Sequence, residues 1–459
     1  MLEALNVSRA LPHEPDSWLH GADVAFDSVG IDSRGVVPGQ LFVAISGERF
    51  DGHDFVPQAV AAGAVAVMVE RVLDACPVPQ WVVKDTRTAL GRLAALHRNL
   101  FAGRVAAITG SSGKTTVKEM LASILRADHG STEAVLATHG NLNNDLGAPL
   151  TLLALNPAHR SAVIELGANH VGEISYTVAL TRPQVAIITN AGTAHVGEFG
   201  GPERIVKAKG EILEGLPATG IAVLNRDDAA FEAWQEKAQG RRVLSFALDH
   251  SADISARHLH VDARGCYAFT LQTPAGVVPR IQLNVLGRHN VANALAAAAA
   301  AVALGVSCAA IQAGLEAVQP VKGRVVAHIG VSGMCVIDDS YNANPAAMRA
   351  AVDILASFPT RTLLVLGDMG ELGAWAESEH AGVGRYAQGR VDALYAVGSL
   401  MRHAVEAFGA GGQHFSSQEA LIAALLHTQE PNTTLLIKGS RSAAMERVVA
   451  ALLPSTGEH

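Results

Sequence analysis

The chain has 459 residues, 49% hydrophobic and 17% charged, enough apolar material for roughly two to four domains with buried cores. A net charge of -8 with no basic tail or cluster argues against a nucleic-acid or anionic-membrane partner. Four scattered cysteines (Cys76, Cys266, Cys308, Cys335) with no C-x-x-C pair argue against a disulfide framework or zinc site and fit a reducing cytoplasm.

The first hundred residues alternate short apolar runs, read as strands over 40–45, 64–69 and 81–83, with a helix over 88–99. The N-terminus has no basic region leading into an apolar stretch, so no signal peptide is predicted. A boundary is expected near Phe101-Ala102-Gly103. Beyond it, the apolar run 105–109 leads into Gly110-Ser111-Ser112-Gly113-Lys114-Thr115-Thr116, and a helical pattern follows. Strand, glycine-rich turn, Lys-Thr, helix is the build of a phosphate-binding loop: the glycines let backbone N–H groups approach phosphate oxygens, Lys114 neutralises them, and the Thr115 hydroxyl suits Mg²⁺. The loop is a short form, T-G-x-x-G-K-T-T, with Ile108 where the longer pattern has a glycine.

Strands recur at 162–164, 185–188 and 221–224 with helical patterns between them, which predicts a parallel α/β sheet. Residues 240–285 alternate polar and apolar positions and are expected to form a small antiparallel extension. The alanine-rich stretch 291–306 holds Asn293 and reads as a buried helix over 290–304, not a membrane span. A second boundary is expected at 320–324, and strands at 335–338, 363–366, 394–397 and 435–437 then predict another doubly wound unit.

Chemistry in open α/β sheets gathers at the carboxyl ends of strands. Glu165 ends one strand and is either a Mg²⁺ ligand or a solvated or capping carboxylate. His195, in a loop past the next strand, is either structural or a ligand of a second metal. Lys207 and Lys209 lie on a helical stretch, and their spacing singles out neither. Asn225-Arg226-Asp227-Asp228 resembles a degenerate guanine-reading N-K-x-D, which keeps a GTPase switch as the reading from another class. Residues Asp338 to Pro345 suit ribose hydroxyls or a polar substrate, or form a turn and helix cap. Residues 367–373 make a second glycine-rich loop, and Lys438-Gly439-Ser440-Arg441 offers cations and a hydroxyl to an anion.

In this order the pieces resemble the Mur ligase family of bacterial cell-wall synthesis along essentially the whole chain. The resemblance is carried by T-G-S-S-G-K-T-T, the Glu165 strand end, T-N-A-G-T-A-H ending at His195, Ala208-Lys209-Gly210-Glu211-Ile212 and Gly287-Arg288-His289-Asn290-Val291-Ala292-Asn293. Asp32-Ser33-Arg34, the segment from Gly47 to Phe55, Asn141-Leu142-Asn143-Asn144, residues 339–345 and 367–373 point to the branch that joins D-alanyl-D-alanine to UDP-N-acetylmuramoyl-tripeptide. The D-N-P-R signature of the diaminopimelate-adding branch is absent, and Tyr341 stands where some relatives have lysine.

The resemblance implies an α/β fold of three domains: an N-terminal UDP-sugar-binding domain over 1–100, a central ATP-binding P-loop domain with its antiparallel extension over 101–319, and a C-terminal Rossmann-like domain over 320–459. It implies a monomeric cytoplasmic enzyme that uses ATP and Mg²⁺ through an acyl phosphate, with either diaminopimelate or lysine as the third stem residue. Thr115 and Glu165 would hold the first Mg²⁺ and His195 would help hold a second. Lys209 aligns with a lysine carbamylated in several relatives. Asn293, Arg324 and Asp339 would sit at the base and ribose. Ser33, Arg34, Gly47, Asp51, Gly52, His53 and Phe55 would contact the UDP-sugar, and Asn141 and Asn144 the peptide stem. Asn342, Asn344, Lys438, Ser440 and Arg441 would lie near the dipeptide or the phosphates.

Overall fold

The computed structural model describes residues 5–454 except 11–12, 15, 48–49, 193–198, 200, 263–264, 321–322 and 428–431. Among the described residues, three sheets of five, nine and six strands follow one another, beside a two-stranded pair near the N-terminus.

The first sheet runs in the order Trp18–His20, Gln80–Val82, Ala66–Val69, Gln40–Val43, Ser28–Gly30 and is parallel except at Trp18–His20. The helix Thr86–Asn99 leaves it, started by Asp85, whose carboxylate accepts the Thr88 N–H at 2.6 Å. That cap lies before the expected start of the helix, and Thr86 and Arg87 form its first turn.

The central sheet places Arg104–Thr109 between Ser161–Glu165 and Val185–Ile188, so the strand before the phosphate loop is interior. These three strands are buried on both faces, which explains their unbroken apolar runs. Because side chains alternate across a strand, Val105 and Ala107 face one core and Ala106 and Ile108 the other. The second core is closed by Lys114–His129 and Arg288–Ala303, where buried alanines 296–301 keep the helix close to the sheet. The antiparallel part begins later than expected. Arg242–Ala247 pairs in parallel with Ile221–Asn225, and only Ile254–Val261, Cys266–Thr273 and Gly276–Leu286 meet one another antiparallel. Arg242–Ala247 alternates because one of its faces is less covered, and such alternation does not distinguish parallel from antiparallel pairing.

The third sheet runs Val326–Ile329, Cys335–Asp339, Thr433–Lys438, Arg361–Gly367, Ala393–Val397, Gly412–Phe415, with only the first strand antiparallel. The first and second sheets share one core, in which Leu41, Met68 and Trp81 pack with Ala107, Leu152 and Val178. The third sheet meets the central one through a smaller set: Phe199, Ile205, Ala208, Cys266 and Leu286 against Met348, Val352 and Ile354.

Candidate active site

The carboxyl ends of the central strands face the C-terminal sheet across a cleft of about 750 Å³. The phosphate loop forms its floor. Gly110 (φ +148°) and Gly113 (φ +79°) hold conformations that β-carbon-bearing residues avoid. A β-carbon at Gly110 would also lie 1.9 Å from Thr189 Oγ1, and one at Gly113 2.4 Å from Asn293 Oδ1. The next strand end cradles the loop: Ser111 N–H donates to the Asn190 carbonyl and Ser112 N–H to Asn190 Oδ1, both at 3.0 Å, while the Thr189 hydroxyl donates to the Ser112 carbonyl at 2.6 Å. Lys114 opens the helix and folds its Nζ onto the Gly110 carbonyl at 2.7 Å. Burial pushes its amine below the ordinary lysine value, Glu165 pulls it back up, and Arg324 adds to the depression. Thr116 lines the cleft beside them.

Glu165 is 2% exposed. Its Oε2 accepts the Thr115 hydroxyl and its Oε1 the Asn143 amide, both at 2.9 Å, while its N–H donates to Thr138 Oγ1 at 2.9 Å. A hydroxyl and a carboxylate meeting at the floor of an oxygen-rich cleft fit a hard divalent cation such as Mg²⁺. Lys209 is 1% exposed, with Nζ 5.1 Å from the centre of the Phe199 ring. Burial first, and the Lys114 cation second, bring its amine from 10.5 to about 7, against the pull of Glu173 and Glu211. His195 lies outside the described residues.

The opposite wall comes from the third sheet. Asp339 and Lys438 end neighbouring strands and form a buried ion pair of 2.7 Å; Lys438 also donates to the Asn342 carbonyl at 2.8 Å. The Arg324 and Arg441 guanidiniums lie 4.4 and 5.7 Å from the centre of the Tyr341 ring, so two cations are held at the cleft. Asn342 and Asn344 line the same wall, but the Asn344 side chain is the N-cap of Pro345–Ala356, accepting the Ala347 N–H at 2.9 Å. The Ser440 hydroxyl contacts that of Ser442 at 3.0 Å, and the Ser440 N–H donates to the Asp368 carbonyl. His289, at the start of the alanine-rich helix, is held near 4 by burial and the Lys438 cation and is therefore a neutral imidazole.

The cleft thus gathers Ser111, Ser112, Gly113, Lys114, Thr115, Thr116, Glu165, Asn293, Arg324, Asp339, Asn342, Asn344, Lys438 and Arg441, with Asn141 at its edge. Asn144 is not among its lining residues; its side-chain oxygen accepts the Gly147 N–H at 2.8 Å, where Gly147–Leu153 begins. Its neighbour Asn143 reaches Glu165 instead, and nothing but its place in an asparagine-rich loop signalled that. The tetrapeptide that resembled a guanine reader serves the local chain. Asn225 donates to the Thr189 carbonyl, Asp227 accepts the Leu248, Asp249 and His250 N–H groups, and Asp228 accepts that of Ala191.

The expected sugar-binding residues do not line this cleft. They gather at the carboxyl end of the first sheet. Ser33 is buried and donates to Gln58 at 3.0 Å, and Arg34 is exposed and forks onto Asp32. Asp51 accepts the His53 N–H and contacts its Nδ1 at 2.6 Å, an arrangement that with Arg71 holds the carboxyl well below the usual range. His53 is buried and accepts the Glu70 N–H. A β-carbon at Gly52 would lie 2.5 Å from the Ile45 nitrogen, Gly47 N–H closes onto the Phe50 carbonyl, and Phe50 and Phe55 meet edge-on at 6.4 Å, both exposed.

Sequence profiles agree with this geometry. That of the Mur ligase family, catalytic domain, matches residues 25–98, the Mur ligase middle domain 108–301, and the Mur ligase, glutamate ligase domain 323–441. The chain is 49% identical over 438 residues, 95% of each chain, to the UDP-N-acetylmuramoyl-tripeptide–D-alanyl-D-alanine ligase of Escherichia coli (strain K12). It is 41% identical over 94% of each chain to that of Haemophilus influenzae. Among solved structures, MurF from Acinetobacter baumannii superposes with a TM-score of 0.91 at 40% identity over 98% of each chain. MurF ligase from Thermotoga maritima, in complex with ADP, superposes at 0.82 and 28% identity over 92% of this chain and 96% of that one. Identity of this extent, with all three profiles falling in order along the chain, establishes it as a member of the Mur ligase family.

Proposed function

We propose that the protein is an ATP-dependent ligase that joins D-alanyl-D-alanine to the terminal carboxylate of UDP-N-acetylmuramoyl-tripeptide. The observation that carries this reading is the facing of two walls: phosphate loop and Glu165 on one sheet, the Asp339–Lys438 pair and the Arg324–Tyr341–Arg441 cluster on the other. Two substrates held on separate sheets meet where their strand ends converge.

The chemistry balances in two steps. A carboxylate oxygen of the tripeptide attacks the γ-phosphorus of ATP, the bond to the ADP oxygen breaks, and an acyl phosphate forms. The dipeptide amine then attacks the acyl carbon, sheds a proton, and inorganic phosphate leaves. The first step crowds anions together, and the loop N–H groups and Lys114 are placed to offset that charge. Mg²⁺, which would be held by Thr115 and Glu165 with His195 at a second ion, supplies further charge neutralisation at the phosphates. The acyl phosphate must be kept from water, and a cleft between two sheets can close over it.

Lys209 fits a carbamate: an amine near 7 is half uncharged at neutral pH and can take up CO₂, turning a buried cation into an anion able to meet metal. Intact-protein mass under bicarbonate, before and after acid quenching, reads that modification directly. Asn293, Arg324 and Asp339 serve the base and ribose, and Asn141 with Asn143 the peptide stem. The patch of Ser33, Arg34, Gly47, Asp51, Gly52, His53 and Phe55 takes the UDP-sugar end. The working parts are 1–100, 101–319 and 320–459, in a cytoplasmic monomer. Among the described residues no helix is long and apolar enough to cross a membrane.

The test is phosphate release from ATP with Mg²⁺ and the tripeptide in its diaminopimelate and lysine forms, each with and without D-alanyl-D-alanine. Release that needs the dipeptide, with a pentapeptide product by mass, is the expected result. ATP binding without dipeptide-dependent turnover for either tripeptide would overturn it.

A further inference from the structure

The C-terminal wall of the cleft includes a loop over residues 367–373 that presents Gly370 and Glu371 to the cavity. Glu371 has φ +63°, a left-handed conformation that a residue with a β-carbon keeps only where its surroundings over-determine it. Three ties do so. Asp368 Oδ1 accepts the N–H groups of Leu400 (3.2 Å) and Met401 (2.9 Å), where the helix Met401–Phe408 begins. The Asp368 carbonyl accepts the Ser440 N–H at 2.9 Å. The Met369 N–H donates to His380 Nε2 at 3.0 Å.

His380 lies on the helix Ala376–Ala387, fully buried and outside the cavity lining. Its Nδ1 is 2.6 Å from the Ala376 carbonyl. A carbonyl only accepts, so Nδ1 carries the proton and Nε2 presents its lone pair to Met369: one tautomer, neutral, with both nitrogens used.

We propose that His380 is a positioning residue for ligation: its imidazole latches Met369 and fixes the 367–373 loop as a rigid ledge for the incoming dipeptide. The kinetic half of this proposal rests on the ligase reading above; the latch itself does not. Protonation would put a second N–H against the Met369 N–H and undo the bond. The surroundings oppose it: burial holds the ring below its ordinary value, and His403 adds to this, against the Ala376 carbonyl, Asp368 and Glu379.

Two variants test it, His380→Leu, which removes the acceptor, and His380→Gln, which returns an oxygen acceptor near the Nε2 position. Amide hydrogen exchange over residues 367–373 is read beside steady-state kinetics. In H380L, exchange in that segment rises about tenfold, the KM for D-alanyl-D-alanine rises about tenfold, the KM for ATP stays within about twofold, and H380Q recovers both losses. Unchanged exchange over 367–373 in H380L overturns the latch. So does faster exchange spread over the whole C-terminal sheet and not recovered by H380Q, which marks a structural role. A wild-type protein without dipeptide-dependent turnover overturns the ligase reading, and the exchange arm then judges the latch alone.

Discussion

Glu165 is bonded on both oxygens, to Thr115 and Asn143, with Thr138 fixing its backbone. Glu165→Gln keeps the shape and removes the charge, so kcat should fall about 10²-fold or more with little change in the unfolding midpoint; assays across a Mg²⁺ series check it. Lys209 makes a prediction of opposite kind. Its amine is depressed from 10.5 to about 7 in the fold, so the fold favours the neutral form. The stability that neutrality supports is present above the unfolded value, declines as pH falls through the range between, and is lost below about 7. Lys209→Met should therefore raise the thermal midpoint by a few degrees at pH 6, by about 1–3 kcal/mol, and do less at pH 9, while abolishing most activity; melts at the two pH values decide it. At this scale the phosphate loop and Glu165 were legible because their chemistry demands those residue types at a strand end. Asn143, Thr138 and Asn190 were not. They are ordinary loop residues until the sheet order brings three strand ends together. The burial of Lys209 was hidden as well, since two lysines on a helix look solvated until tertiary packing buries one of them.

Among the elements, the helix Arg288–Ala303 shows how composition serves position. Its alanines 296–301 are almost wholly buried against Lys114–His129 and the central strands, where larger side chains would push the helix off the sheet. Ala298→Leu should cost about 1–3 kcal/mol, and because Asn293 on the same helix abuts Gly113, it should also weaken nucleotide binding; denaturant unfolding and a nucleotide titration read the two effects. The central strands were legible as apolar runs because parallel strands are covered on both faces. The start of the antiparallel extension was misplaced because Arg242–Ala247 alternates while still pairing in parallel. Asn344 and Asn144 were legible as polar residues at turns, yet each spends its side chain oxygen on a helix start.

At the scale of the molecule, three sheets do not make three equal partners. The first and second share a core, and Arg98 on the helix between them, held to about 10 by burial and Arg182, donates to the carbonyls of Phe101, Thr181 and Arg182 at 2.8–3.0 Å. Arg87 and Asp145 pair across the same seam. Calorimetry should show residues of the first two sheets melting in one transition and the third sheet in another. Arg98→Met should lower the first by about 2–4 kcal/mol without moving the second. Three domains were legible as three runs of alternating strands and helices, but the unequal seams were not, since they depend on which faces meet. The shared core also bears on solubility. A shortened chain beginning at 101 would lay open to water the faces of Gly147–Leu153 and Glu173–Thr181 that pack on Thr86–Asn99, Tyr176 and Leu180 among them, a sticky face that draws copies of itself together. Expressed alone, the nucleotide-binding part should aggregate, whereas a chain ending near 319 should stay dispersed; the N-terminal sheet is its solubilising cover as well as its neighbour.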